Sequence, residues 1–199
     1  MLVLVISSLY LDKPMLNFVE RIHINLPTSL EGLLQIIGEP EPYVIVCGFV
    51  LIFCGIVYVN TGFYFAEIKI PGRALLILLS AMISWVGADL LKAVFARPFP
   101  HSGIEPIDGA LLFHPLAFSC DGVCFPSERA TVATAVGFAF SVTVPAYRPT
   151  FVLVAAVVAA SGVISGRDYL SDVIVGMLAG LITTTYLGKI FSQFSIQFR

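Results

Sequence analysis

The sequence predicts an all-α fold, a polytopic integral membrane bundle of five to six transmembrane helices, and three observations predict it. Hydrophobic residues make up 58% of the 199 positions and charged residues 12%, where a soluble domain carries about 25% charged residues. The apolar residues fall into runs near the length that crosses a bilayer, about 20 residues for a helix. The basic residues between those runs fall on alternate sides, as they do around the short cytoplasmic loops of a multi-pass protein. A formal net charge of −2 removes the reason to expect nucleic acid as a partner, which calls for a basic surface.

Residues 1–11 are apolar but lack a basic flank and are too short to span, so they do not read as a cleaved signal. They open a segment, 1–42, in which Ile22, Leu26, Leu30, Leu33, Leu34 and Ile37 give a rough helical stripe. The stripe suits an interfacial helix or a partial span packed under the others. Five apolar runs follow at 43–63, 74–95, 130–146, 150–165 and 173–191. The third and fourth are short and have to sit nearly upright or thin the bilayer. Between the second and third lies a polar stretch, 97–129, rich in Pro and Gly, where a site is most readily built. No repeat or low-complexity tract interrupts the chain, which reads as one domain over 1–199 with its transmembrane core at 43–191.

Lys69 and Arg73, Arg148, and Lys189 and Arg199 share one side if all five runs span, and by their charge that side is cytoplasmic. Arg97, Arg129 and Arg167 then converge with Lys92 on the opposite, non-cytoplasmic face. A disulfide between Cys120 and Cys124 is permitted there if the face is oxidising, and two thiols are the alternative. Cys47 and Cys54, seven apart on one helical face, read as small packing residues. No zinc-type spacing appears, and neither a metal nor a cofactor is implied.

The stretch from Ser161 to Gly176 holds Arg167, Asp168 and Asp172 at the mouth of an apolar helix, and charge at the edge of a span is rarely idle. A phosphate or pyrophosphate at a membrane surface needs several fixed cations and N–H donors. Lys92, Arg97, Arg129 and Arg167 can supply the cations. Arg129 and Arg167 stand at or one turn before helix N-termini, where the dipole also favours an anion. Pro126 and Ser127 make a helix start with a hydroxyl available to the ligand or the first-turn amides. Each has a plainer use: Lys92 can pair with Asp89 on its own helix, Arg97 can reach the headgroups, and Ser127 can be a cap alone. Their joint occurrence on one face favours an anion site.

Three segments, Lys92-Ala-Val-Phe-Ala-Arg97-Pro98, Phe125-Pro126-Ser127 and Ser161 through Asp172, resemble the signature motifs of the type 2 phosphatidic acid phosphatase superfamily, relatives of glucose-6-phosphatase and the vanadium haloperoxidases. The resemblance runs from about residue 11 to the end, including Gly176 and Gly180, and implies a helical membrane fold with an outward-facing site. The family pattern is Lys followed after six residues by Arg-Pro, then Pro-Ser-Gly-His, then Ser-Arg with His and Asp further on. Here Phe99 stands at the first Arg position, with Arg97 two residues earlier. Glu128 and Arg129 replace the Gly-His, Gly162 the second Arg, and Asp168 the second His.

In the family the histidine of the third motif is the nucleophile, the following Asp orients it, and the histidine of the second motif protonates the leaving group. The resemblance therefore places Asp168 at the nucleophile, Asp172 beside it, and Ser127 as an assisting hydroxyl. A carboxylate can attack phosphorus, but a guanidinium at Arg129 does not release a proton near neutral pH, so a diphosphate is the better substrate for any activity that remains. His101 and His114 lie in the long loop and either can reach the site; His23 has no assigned role. Two readings stand: a phosphatase-like protein acting on a phosphorylated or diphosphorylated lipid headgroup, or a catalytically silent relative that binds anionic lipid or serves as a subunit with membrane-protein partners. The second follows if Arg167, Asp168 and Asp172 pair among themselves and occupy the donors that a phosphate needs.

Overall fold

The computed structural model describes residues 10–12, 14–19, 21, 27–39, 41–61, 70–95, 97, 99–100 and 124–193. Its elements run α1 (Thr28–Gly38), α2 (Glu41–Thr61), α3 (Ile70–Phe95), α4 (Glu128–Thr143), a 3₁₀ turn (Pro145–Tyr147), α5 (Arg148–Ile164) and α6 (Leu170–Gln193). The described residues contain helices and no strand. Three helices are long and apolar enough to cross a membrane, Gly72–Phe95, Pro145–Ile164 and Leu170–Gln193, and a fourth span arises if α1 and the first part of α2, which meet at a 57° bend, are taken together. By length and composition the described residues thus give three or four candidate spans, and the count of five or six expected from the sequence is shown only to that extent.

The helix ends follow from local chemistry. Pro27 caps α1, its carbonyl accepting from the amides of Leu30 and Glu31 at 2.9 and 3.0 Å, and α1 stops where Glu39 turns extended just before a proline in the sequence. Ser127 caps α4, its hydroxyl accepting from the Ala130 amide at 3.3 Å. The carboxyl end of α5 closes through Gly166 at φ 68°: the amides of Gly166 and Arg167 return to the carbonyls of Val163 and Gly162, each at 3.0 Å. A left-handed residue is what this closure requires, and glycine adopts it without steric penalty.

Helix α4 is the centre of the bundle, packed on by α1, α3, α5 and α6. Its run was read from the sequence as an awkwardly short span. With 16 residues α4 is not among the helices long enough to cross a membrane, and its neighbours enclose it instead. One apolar cluster joins Leu76, Ile77 and Ala81 of α3 to Val132, Val136 and Ala139 of α4 and Leu187 and Phe191 of α6. A second joins Ala130, Ala159, Val163 and Val173. Helix α6 lies so close to α4 that a Cβ at Gly176 would stand 2.6 Å from the Ser127 carbonyl oxygen, and one at Gly180 would collide with that of Thr131. Thr184 donates across the same seam to the Ala135 carbonyl at 2.9 Å, a contact worth roughly 0.6 kcal/mol within a membrane bundle.

The stripe read over 22–37 divides once folded. Leu34 packs with Ala133 and Val158, and Ile37 lies against them, while Leu30, Leu33 and Ile36 are exposed. Helix α1 is apolar on two sides because one meets the bundle and the other faces outward. Ile22 and Leu26 lie outside the described residues, as do His23, His101, His114 and Cys120 and the side chains of Cys47 and Cys54.

Candidate active site

Four helix ends converge: the carboxyl ends of α3 and α5 and the amino ends of α4 and α6. With α1 laid across them they enclose a cavity of about 210 Å³. Lys92 enters from α3, Glu128 and Arg129 from the first turn of α4, Arg167 and Asp168 from the turn before α6, and Gln35, Gly38 and Glu39 from α1, with Phe99 and Cys124 completing the wall. Of the residues singled out from the sequence, Lys92, Arg129, Arg167 and Asp168 meet here; Arg97, Ser127 and Asp172 are not part of the lining.

Most of the cavity's charges are already partnered. Lys92 forms an ion pair with Glu128 and reaches Asp89, three residues earlier on its own helix, at 3.6 Å. Arg167 pairs with Glu31 of α1 at 4.0 Å. Arg129 donates to the Ser161 hydroxyl at 3.3 Å, its aliphatic stem pressed on Gly38, where a Cβ would collide with it. Asp168 accepts from the Ser127 hydroxyl at 2.7 Å. Burial pushes the Asp168 carboxyl above its usual range, against the opposing pull of the Ser127 donor and of Arg129, Arg167 and Lys92. Its carboxylate also fills the space beside Gly162, where a Cβ would collide with it.

Arg97 has a different environment from the one expected of a phosphate ligand. Its guanidinium pairs with Asp172 and with Asp12 at 2.9 Å, donates to the Ser171 hydroxyl at 2.8 Å, and lies 3.8 Å over the Tyr169 ring. Burial opposes its charge, but Asp172 and Asp12 outweigh burial and raise its pKa. Asp12 also accepts from the Ser171 amide at 2.8 Å and the Ser171 hydroxyl at 2.6 Å, so it caps the first turn of α6 while neutralising Arg97. Phe99, at the motif spacing from Lys92, faces the cavity instead.

The mutual pairing of Arg167, Asp168 and Asp172 on which the silent reading is conditioned is not the closest pairing found: Arg167 meets Glu31, Asp168 the Ser127 hydroxyl and Asp172 Arg97. The turn at Gly166 sends Asp168 toward Ser127, and the first turn of α6 sends Asp172 toward Arg97. Cys124 holds the loop by donating its amide to the Arg97 carbonyl at 2.7 Å, and burial pushes its thiol pKa strongly upward. No cluster of three metal-ligating side chains occurs among the described residues.

Sequence reasoning missed Asp12, Glu31, Gln35 and Glu39. A signal for the last three was present: they recur every four residues along α1, one polar face on an otherwise apolar helix. Asp12 carried no such signal, because its partners lie 85 and 159 residues away.

Residues 73–195 match the family model described as PAP2 superfamily, a span that covers α4, α5, α6 and nearly all of α3. No curated protein and no solved structure matches the chain.

Proposed function

The chain belongs to the PAP2 superfamily, and on that premise we propose that it is a multi-pass membrane protein whose cavity receives the phosphate of a lipid headgroup from the non-cytoplasmic side. The phosphatase-like chemistry of the superfamily is altered in this site. The observation that carries the reading is the meeting of Lys92, Arg129 and Arg167 with Asp168 in one cavity at four helix ends. The segment 43–61 and the enclosed α4 count as further spans in this reading, giving five, or six if the N-terminal segment crosses. The whole of 1–199 then forms one domain.

In the active form of this reading Arg129 and Arg167 hold phosphate oxygens and Asp168 attacks phosphorus, forming an aspartyl-phosphate as the P–O bond to the leaving group breaks. Ser127 keeps the carboxylate aimed by donating to it. Arg129 cannot protonate an alkoxide, so a diphosphate, whose leaving group carries its own charge, is turned over faster than a monoester. A specific observation favours the silent alternative. Lys92, Arg97 and Arg167 all have carboxylate partners, and the lining sets Glu39, Glu128 and Asp168 against Lys92, Arg129 and Arg167. A silent protein would bind anionic lipid, alone or as a subunit of a membrane complex.

Purified protein in detergent, incubated with phosphatidate and with a polyprenyl diphosphate, tests both. Phosphate release that is faster from the diphosphate and abolished by Asp168→Ala supports the enzyme. Absence of turnover, with anionic lipid retained through purification and lost in Arg129→Ala, removes the enzyme and leaves the binding protein.

A further inference from the structure

Among the described residues three of the cavity's charges, Arg129, Asp168 and Glu39, take part in no ion pair, and of these Asp168 is held by the Ser127 hydroxyl, which leaves one cation and one anion to consider. Arg129 reaches the wall from the first turn of α4 and donates to a hydroxyl at 3.3 Å. Glu39 reaches the same wall at the end of α1, where the Gln35 amide donates to it at 2.7 Å. Neither takes part in an ion pair with a described residue, whereas Lys92, Arg97 and Arg167 each do. Arg129 and Glu39 lie on either side of one contact, since the glycine that the Arg129 stem covers directly precedes Glu39. The backbone adds to both charges: the amino end of α4 favours an anion beside Arg129, and the carboxyl end of α1 favours a cation beside Glu39.

A bare phosphate entering this cavity meets three carboxylates along with three cations, so its attraction to the cations is weakened by the facing anions, and it leaves Glu39 with the Gln35 amide but no cation. A ligand that carries a protonated amine a few atoms from its phosphate satisfies Arg129 and Glu39 together. We propose that the cavity takes an aminoalkyl phosphate of the phosphoethanolamine type, its phosphate on Arg129 and Arg167 and its ammonium on Glu39. The inference rests on the phosphate-binding reading above and narrows its ligand from an anion to a zwitterion. The same group can arrive as a soluble phosphoethanolamine or as the headgroup of phosphatidylethanolamine. The outward apolar side chains of α1, Leu30, Leu33 and Ile36, are compatible with the lipid source.

Titration calorimetry on the purified full chain in detergent, with four probes, tests the proposal: phosphoethanolamine, inorganic phosphate, dihexanoyl phosphatidylethanolamine and dihexanoyl phosphatidate. Each amine-bearing probe is expected to bind about tenfold tighter than its amine-free counterpart, the effect of one added charge pair in a partly buried site. A preference in the soluble pair alone or the lipid pair alone identifies the source. Glu39→Gln keeps an oxygen for the Gln35 amide and is expected to erase the preference at unchanged melting temperature, while Arg129→Gln weakens all four probes. Amine-free probes that bind as well as the amine-bearing ones, or a preference that survives Glu39→Gln, overturn the zwitterion proposal. The phosphate reading survives that outcome if Arg129→Gln still weakens binding. No binding by any probe, with no effect of Arg129→Gln, overturns both.

Discussion

Replacing Asp12 by alanine is expected to loosen the end of the bundle that carries the cavity. The Asp12 side chain is 4% exposed and its partner Arg97 8%, so water cannot take over the lost contacts. The substitution removes one ion pair at 2.9 Å and the acceptors for the Ser171 amide and hydroxyl. Breaking a buried pair costs about 3–5 kcal/mol when the remaining charge is orphaned; here Asp172 still faces Arg97, which places the loss at the lower end. Stripping a buried amide of its acceptor costs about 1–3 kcal/mol by itself, so about 3 kcal/mol in total is a conservative figure. For a chain of this size that lowers the melting temperature by about 6–12 °C. Trp85, the single tryptophan of the chain, reports unfolding by intrinsic fluorescence in detergent, with scans at two rates to handle irreversibility. Asp12→Asn keeps an acceptor for the Ser171 amide but no charge for Arg97, and should lose about half as much. A shift below about 2 °C for Asp12→Ala would refute the docking of the N-terminal segment against Arg97 and α6.

Asp168 gives a pH test. Burial raises its carboxyl pKa in the folded protein, so its contribution to stability is fully present below the unfolded-state value, about 4, and is lost as pH rises through the folded one. Asp168→Asn, which keeps an acceptor for Ser127, should match the wild-type melting temperature below about pH 4 and exceed it once pH has risen through the folded-state value; a gap that closes as pH rises contradicts this. Gly162→Ala forces its new Cβ into the Asp168 carboxylate and should cost about 1–3 kcal/mol as an overpacked site. The cost should fall to near zero in an Asp168→Ala background, and additive losses in that double-mutant cycle would show that the two residues do not touch. Glu128→Gln removes one anion from the cavity wall and frees Lys92 from its partner across the helix ends. At about 6 Å and an effective dielectric of 20–40 that is about 1–3 kcal/mol, so orthovanadate should bind about tenfold tighter, and unchanged or weaker binding would show that the Lys92–Glu128 pair does not limit anion entry.

The helices of the core were legible because each is an unbroken apolar run bounded by Pro, Gly or charge, a pattern that depends on neighbours a few residues away. Convergence of Lys92, Arg129, Arg167 and Asp168 was legible for a related reason: an antiparallel succession of helices puts alternate connections at one end. Partner choice was not legible. Arg97 looked like a phosphate ligand because it stands beside a motif position, yet its guanidinium is taken by Asp172 and by Asp12. The polar face of α1 was visible in its spacing but was outweighed by the apolar residues around it.

Sequence alone thus determined the helical membrane class, the order of the elements and which charges gather at one end, since hydrophobic length and loop alternation are local properties of the chain. Tertiary structure alone decided which of those charges form ion pairs. Ion pairing depends on side-chain approach to within a few ångströms, and Arg97 meets Asp12 across 85 positions of sequence, while Arg129 and Glu39 are brought to one wall by the crossing of α1 over α4.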